Sequence, residues 1–531
     1  MKRVGYSLLI LLITTSVFGQ KNEDWFNKDL ESDGQAGASV NKVEERFRGR
    51  EPQEIIVAVI DSGVDIDHED LKDNIWVNQF EIAGNGVDDD KNGYIDDIHG
   101  WNFLGGKEGN VNIALYETTR IYRKLKPKYE GKKADDVAEE NKEEYQLYLE
   151  TKKETEKQYK KTLKELEDFR NLINNLQLVN SILETSLLDK PITPENVKAI
   201  EADSERLLAA KNFMLQLYDN GFVQSEFDRF IEDLNNRKLY HYNIDFDPRK
   251  VVGDNPDDPY EKFYGNNDVK GARADHGTHV AGIIGAVRNN EMGINGVAHN
   301  VKIMVLRSVP DGDERDKDIA NAIIYAVDNG ARIINMSFGK GHSPAKEVVD
   351  KAVRYAEVND VLLIHSAGNS SLNIDNTNQF PNKYYRTNGM RGVAENWITV
   401  GASGREKGVD LPASFSNYGR KNVDIFAPGV RIYSTVPENK YVEQDGTSMA
   451  APVVTGVAAL ILNYFPDLTA AELKKVLLES ATNYGKIKVR TPDESKKGKK
   501  TKFKKLSATG KVVNAYEALR YAEEKYGKKQ M

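Results

Sequence analysis

Four short stretches pair residue types capable of chemistry with positions where a fold would use them. Asp61-Ser62-Gly63 ends the β-branched run Ile55–Ile60, which puts a carboxylate at the C-terminal end of what reads as a buried parallel strand. His276-Gly277-Thr278-His279-Val280-Ala281-Gly282 places an imidazole near the start of a small-residue helix that can pack closely. Gly446-Thr447-Ser448-Met449-Ala450-Ala451-Pro452 sets a hydroxyl at the opening of an apolar helix, and Ser366-Ala367-Gly368-Asn369 follows the strand-like run Val361–His365 with an amide. Each also has an ordinary reading. Asp61 and Asn369 are common turn residues, Ser448 could be an N-cap, and His276 with His279 could be an HxxH metal pair, although no third ligand stands at a suggestive spacing. Together the four supply a nucleophile, a base, an orienting acid and an oxyanion donor, the residue list of acyl transfer.

The elements that must position these groups alternate. Val301–Leu306, Ile333–Met336, Val361–His365 and Trp397–Gly401 read as strands, while Asp318–Asn329, Ala345–Val358 and Met449–Phe465 have helical spacing. That alternation predicts an α/β fold with a mostly parallel sheet. Between about Lys107 and Tyr264 the composition shifts to Lys, Glu, Leu and Asn. From Ile121 to Arg170 there are 14 basic and 13 acidic residues, so 27 of 50 are charged yet balanced, as on a solvated helix laced with ion pairs. Phe169, Ile173, Leu176, Leu183 and Leu187 form a near-heptad stripe, Pro191 and Pro194 interrupt it, and a second helical stretch runs from about Glu195 to Leu217. The simplest reading is a large inserted helical domain built as a coiled-coil-like hairpin.

Composition removes several alternatives. The 531-residue chain has no cysteine, which excludes disulfides and thiolate chemistry, and its net charge of −8 leaves no basic field for nucleic acid. Seven lysines between Lys496 and Lys505 read as a solvated loop. Lys2 and Arg3, the apolar run from about Leu8 to Phe18 and small residues at Ser16 and Gly19 have the order of a secretory signal peptide cut after Gly19. No other run is apolar enough for a transmembrane segment, so an exported protein of periplasm or exterior is expected. The expected organisation is a signal peptide over 1–19, an extension over 20–53, a catalytic domain over 54–106 and 264–523 interrupted by the helical insertion over 107–263, and a tail over 524–531.

The chain order Asp, His, Ser separates the candidates from the other serine-hydrolase arrangements. On these motifs, together with Val59-Ile60-Asp61-Ser62-Gly63-Val64, Met336-Ser337-Phe338-Gly339, Ala413-Ser414-Phe415-Ser416-Asn417 and Phe426-Ala427-Pro428-Gly429, the sequence resembles the subtilisin-like serine proteases, the subtilase family. The resemblance covers roughly 300 residues on either side of the insertion. It implies a subtilisin-like fold and a serine endopeptidase acting on polypeptides, with Asp61 as orienting acid, His276 as general base, Ser448 as nucleophile and Asn369 as oxyanion donor. It further implies that Ser337, Phe338 and Gly339, with Ser366, Ala367 and Gly368, are backbone edges that bind substrate as an added strand around an apolar P1 pocket. The competing class is a catalytically silent binding protein on the same scaffold. An esterase or amidase would share the triad.

Asp88-Asp89-Asp90-Lys91-Asn92-Gly93-Tyr94-Ile95-Asp96 resembles the first nine positions of an EF-hand loop, with His99 where the bidentate Glu would stand. Structural calcium is expected on Asp88, Asp90, Asn92, Asp96 and the Tyr94 carbonyl, and no organic cofactor is expected. The insertion separates Asp61 from His276. It reads either as a lid or arm that selects substrates or protein partners, or as a hairpin for self-association. The stretch between Gly19 and Ile55 is too short for a folding propeptide domain.

Overall fold

The structure, a computed structural model, describes residues 24–47, 49–387, 389–495 and 497–527. The signal peptide expected over 1–19 lies outside the described residues. The described chain divides into two compact units: Tyr122–Phe246 forms one, and residues 24–121 with the described residues from Asp247 onward form the other. The stretches 107–121 and 247–263, read above as part of the insertion, belong to the second unit.

That second unit is built on a sheet of nine strands. In chain order the strands used below are β1 (Ile55–Asp61), β2 (Gly100–Asn102), β3 (Val301–Arg307), β4 (Ile333–Met336), β5 (Leu362–Ser366), β6 (Trp397–Ser403), β7 (Ile425–Pro428), β8 (Ile432–Val436), β9 (Lys440–Gln444), β10 (Thr482–Asn483) and β11 (Lys511–Val512). The sheet order is β10-β11-β7-β6-β5-β4-β1-β3-β2, while β8 and β9 form a separate hairpin. Every pairing in the sheet is parallel except β10 with β11.

Period-two alternation divides the core between the two faces of the sheet. Val57, Val59, Ile303, Val305, Ile364 and Val400 pack on one side, beneath α1 (Asp275–Gly285) and α4 (Thr447–Tyr464). Ala58, Ile60, Met304, Leu306, Ile334 and Leu363 pack on the other, beneath α2 (Asp316–Asp328) and α3 (Lys346–Val358). Strands buried on both faces are continuously apolar, which is why Ile55–Ile60 shows no polar alternation. Among the described residues α4 alone is long and apolar enough to cross a membrane, and 89% of it is buried in this core. The N-terminal segment joins the same core: Trp25, Phe26, Val40, Val43 and Phe47 are buried, and Trp25 Nε1 donates to the Arg431 carbonyl at 3.1 Å.

In the Tyr122–Phe246 unit the long helix Lys142–Leu187 runs for 46 residues. Its last turns bury Leu176, Val179, Leu183 and Leu187 against Val197, Leu207, Ala210 and Met214. The partners come from shorter helices, Pro194–Ala199 and Glu205–Asp219, broken where Ile200 leaves helical geometry. One long helix is thus packed back on by several short ones.

Candidate active site

Strand order brings the chemistry together. β5, β4 and β1 are neighbours, so their C-terminal ends place Ser366–Asn369, Ser337–Gly339 and Asp61 side by side. This is where an open α/β sheet leaves a crevice, because the order reverses at β1. On one face of the sheet, the N-termini of α1 and α4 add His276 and Ser448 as the second residue of each helix.

Asp61 is buried at 2% exposure. Its Oδ1 accepts the Ser62 N–H and lies 2.7 Å from His276 Nδ1, although 215 residues separate the two. The His276 side chain is 38% exposed, which leaves the far edge of its ring accessible. Burial presses this imidazole toward its neutral form, but the charge and hydrogen bond of Asp61 outweigh that and raise its pKa above the ordinary value. The approach is close because of two glycines. A Cβ on Gly277 would lie 2.1 Å from the Gly63 carbonyl oxygen, and Gly63 itself has φ +115°, where L side chains are strained.

Ser448 Oγ donates to the Ser337 carbonyl at 3.1 Å, while Ser337 Oγ donates to the Ser448 carbonyl at 2.9 Å. Asn369 Oδ1 accepts both the N–H and the hydroxyl of Thr447, at 2.9 and 2.8 Å, which turns its Nδ2 the other way. The point where a Cβ on Gly446 would sit is 3.4 Å from Asn369 Nδ2 and 3.5 Å from the Ser448 nitrogen. The Asn369 amide and the Ser448 N–H thus lie near one another at the start of α4.

The two backbone edges are fixed from behind. Asn417 Nδ2 donates to the Ala367 carbonyl at 2.8 Å, and its Oδ1 accepts the N–H groups of Ser370 and Leu372. Lys340, which follows the other edge, is buried, and its Nζ reaches Glu117 and Asp316, each at 2.8 Å. Its backbone exchanges hydrogen bonds with Phe380 in both directions at 2.9 Å. Arg307 was not legible as a functional residue. Buried at the end of β3, its guanidinium donates to the Ser62 carbonyl and to Asn112, bracing the loop that carries Asp61. His279 turns Nε2 to the Val442 carbonyl at 3.1 Å, and burial pushes its pKa down to about 3, so the packing gives no support to an HxxH metal pair.

The acidic loop folds back on itself through its carboxylates. Asp88 accepts the N–H groups of Asn92 and Gly93, and Asp96 those of Asn85 and Gly86. The Tyr94 ring is buried among Trp101, Phe103 and Tyr325. The carboxylates that gather are Glu81, Asp90 and Asp97, with ligand oxygens within 4.8 Å of one another. Asn78 donates to both Asp90 and Asp97, as does Asn92. Burial raises Asp97 to about 6. Of the expected ligands, Asp90 belongs to this group and Asn92 hydrogen-bonds to two of its members. An oxygen-only donor set of three carboxylates suits a hard divalent cation.

The sequence matches the profile of the subtilase family, Peptidase S8, over residues 52–498. It is 40% identical over 214 residues to subtilisin DY of Bacillus licheniformis, covering 40% of this chain and 71% of that protein. It is 41% identical over 220 residues to a thermophilic serine proteinase of Bacillus sp. (strain AK1), covering 41% of this chain and 48% of that one. Among solved structures, a Pseudoalteromonas arctica PAMC 21717 protease is 30% identical, covering 49% of this chain and 74% of that one, with a TM-score of 0.37.

Proposed function

Because the chain belongs to the subtilase family of serine-type endopeptidases, we propose that it is an exported protease that cuts polypeptides through an acyl-enzyme on Ser448. The observation that carries this reading is the 2.7 Å contact of Asp61 with His276, beside the neighbouring strand end whose Ser337 holds Ser448. In the first step the Ser448 hydroxyl leaves the Ser337 carbonyl, attacks the scissile carbonyl carbon and gives its proton to His276 Nε2. Asp61 holds the tautomer that keeps Nε2 free and stabilises the imidazolium. The negative charge that develops on the substrate oxygen falls between Asn369 Nδ2 and the Ser448 N–H. His276 then protonates the leaving amine as the C–N bond breaks, and water releases the acyl group by the same route in reverse.

The segments Ser337–Gly339 and Ser366–Gly368 would hold the substrate backbone, with their own geometry set by Lys340 and Asn417. Glu81, Asp90 and Asp97 would hold a structural calcium, which when bound offsets the repulsion of three clustered carboxylates and pins the 78–97 loop. Residues 1–19 would direct export. The Tyr122–Phe246 unit would select among substrates or partners.

The test is hydrolysis of an unfolded polypeptide by the purified mature protein. Wild type should cleave it and Ser448→Ala should not; equal cleavage by both would overturn the reading.

A further inference from the structure

The lysine run that composition reads as a solvated loop ends in ordered structure. Lys500–Lys502 pairs antiparallel with Lys488–Arg490, which sets Lys488 opposite Lys502 and Arg490 opposite Lys500. Opposite residues of an antiparallel pair share a face, and so do alternate residues of one strand. Lys488, Arg490, Lys500 and Lys502 therefore project from one face of this ribbon. Val489 projects from the other and is fully buried in one core cluster with Tyr484 and Phe503. The inner face is anchored, and the outer face is a grid of four cations spaced about 5 Å across the strands and about 7 Å along them.

Like charges set directly opposite destabilise a pair of strands, and a ribbon of two short strands has little stability to spare. Arg490 relieves part of the repulsion by pairing with Asp410 at 2.6 Å. Among the described residues no carboxylate lies within ion-pair distance of Lys488, Lys500 or Lys502, and all three are exposed. The exposed Lys504 and Lys505 widen the patch. No large apolar side chain is exposed among the described residues from 481 to 527. With three residues in each strand the ribbon is too short to coil, so its cations lie on one nearly flat patch without a groove to grip a single chain. The chain as a whole carries a net charge of −8, which makes the patch a local reversal of sign.

We propose that this ribbon face is the surface by which the protein adsorbs onto a bilayer rich in anionic phospholipid. The proposal goes beyond the protease reading and does not depend on it. A flat array of ammonium groups on long stems fits a flat array of lipid phosphates, whose negative charge offsets the cross-strand repulsion that the protein leaves uncompensated. With no apolar side chain to insert, the attraction is electrostatic alone, and it reaches about one Debye length, about 10 Å at 0.1 M salt. The acidic remainder of the surface is repelled by the same bilayer, which orients the molecule with the ribbon toward the lipid.

The experiment is cosedimentation of the intact mature protein, carrying Ser448→Ala so that no chain is cut during the assay, with vesicles of equal parts phosphatidylglycerol and phosphatidylcholine or of phosphatidylcholine alone. The protein should bind the anionic vesicles at low salt, release them at about 0.5 M salt and ignore the neutral ones. The triple variant Lys488→Gln, Lys500→Gln, Lys502→Gln should weaken binding by about 10-fold or more, since each lysine near a charged bilayer is worth about 5-fold. Lys153→Gln, Lys160→Gln, Lys164→Gln, three exposed lysines of the long helix, changes the net charge equally and should leave binding within about two-fold of its parent. Absence of binding to anionic vesicles, equal binding to neutral ones, or an equal loss in both triple variants would overturn the proposal. So would binding to soluble heparin without binding to vesicles, which would assign the patch to a chain-like polyanion.

Discussion

The two units bury their apolar side chains by different means. In the sheet unit the central strands are covered on both faces, α4 is enclosed along almost its whole length, and the pairs that matter are remote in sequence: Asp61 reaches His276 across 215 residues. In the Tyr122–Phe246 unit one helix of 46 residues buries a narrow seam, while Leu149, Leu163 and Leu178 on the same helix are exposed. A fold held by remote contacts can fix a carboxylate, an imidazole and a hydroxyl to within tenths of an ångström. A helix that forms locally and packs along one stripe supplies reach and surface with little precision. This contrast explains why all four catalytic candidates lie in the sheet unit.

Breaking the precise unit should have the largest effect. Ser448→Ala or His276→Ala should each lower kcat by about 10⁶, a scale set by subtilisin itself, and the double variant should lose little more because the two act as one device. Asp61→Asn should cost about 10⁴ and also change the pH profile. The reaction needs neutral His276, so activity rises as pH passes through its folded pKa, which Asp61 raises. Replacing the carboxylate should therefore shift the acid limb of kcat/KM to lower pH, as a rate profile would record. Asn369→Ala should lower kcat by about 10² to 10³ with KM nearly unchanged, again on the subtilisin scale, because its donor acts on charge that appears only in the transition state. The smallest effect sharpens the comparison from the other side. Leu183→Ala, at a fully buried position of the helical seam, should destabilise that unit by about 2 to 5 kcal/mol in a separate melting step, with short-peptide turnover within about two-fold of wild type.

Much of the sheet unit was legible because both of its signals are periodic or local. Apolar runs at Ile333–Met336 and Trp397–Gly401 mark strands, and small-residue motifs mark the helix starts that carry His276 and Ser448. What was not legible depends on which residues meet in space. The EF-hand-like spacing of Asp88 to Asp96 counts positions along one loop, and it does not reveal that Glu81 and Asp97, outside the count, gather with Asp90. Lys340 and Arg307 look like ordinary surface cations in sequence. Burial against Glu117 and beside Ser62 turns them into supports of the segment after Gly339 and of the loop that carries Asp61. Trp25 and Phe47 belong to a stretch that reads as a mere extension, whereas their burial makes it part of the sheet unit's core.

The central claim is that Asp61 and His276 activate Ser448. Labelling of the mature protein with a fluorophosphonate probe, followed by peptide mapping, tests it most directly. Modification is expected at Ser448 alone, abolished in Ser448→Ala and slowed by orders of magnitude in His276→Ala. Labelling that is absent from the folded wild type, or that proceeds equally fast in His276→Ala, would contradict it.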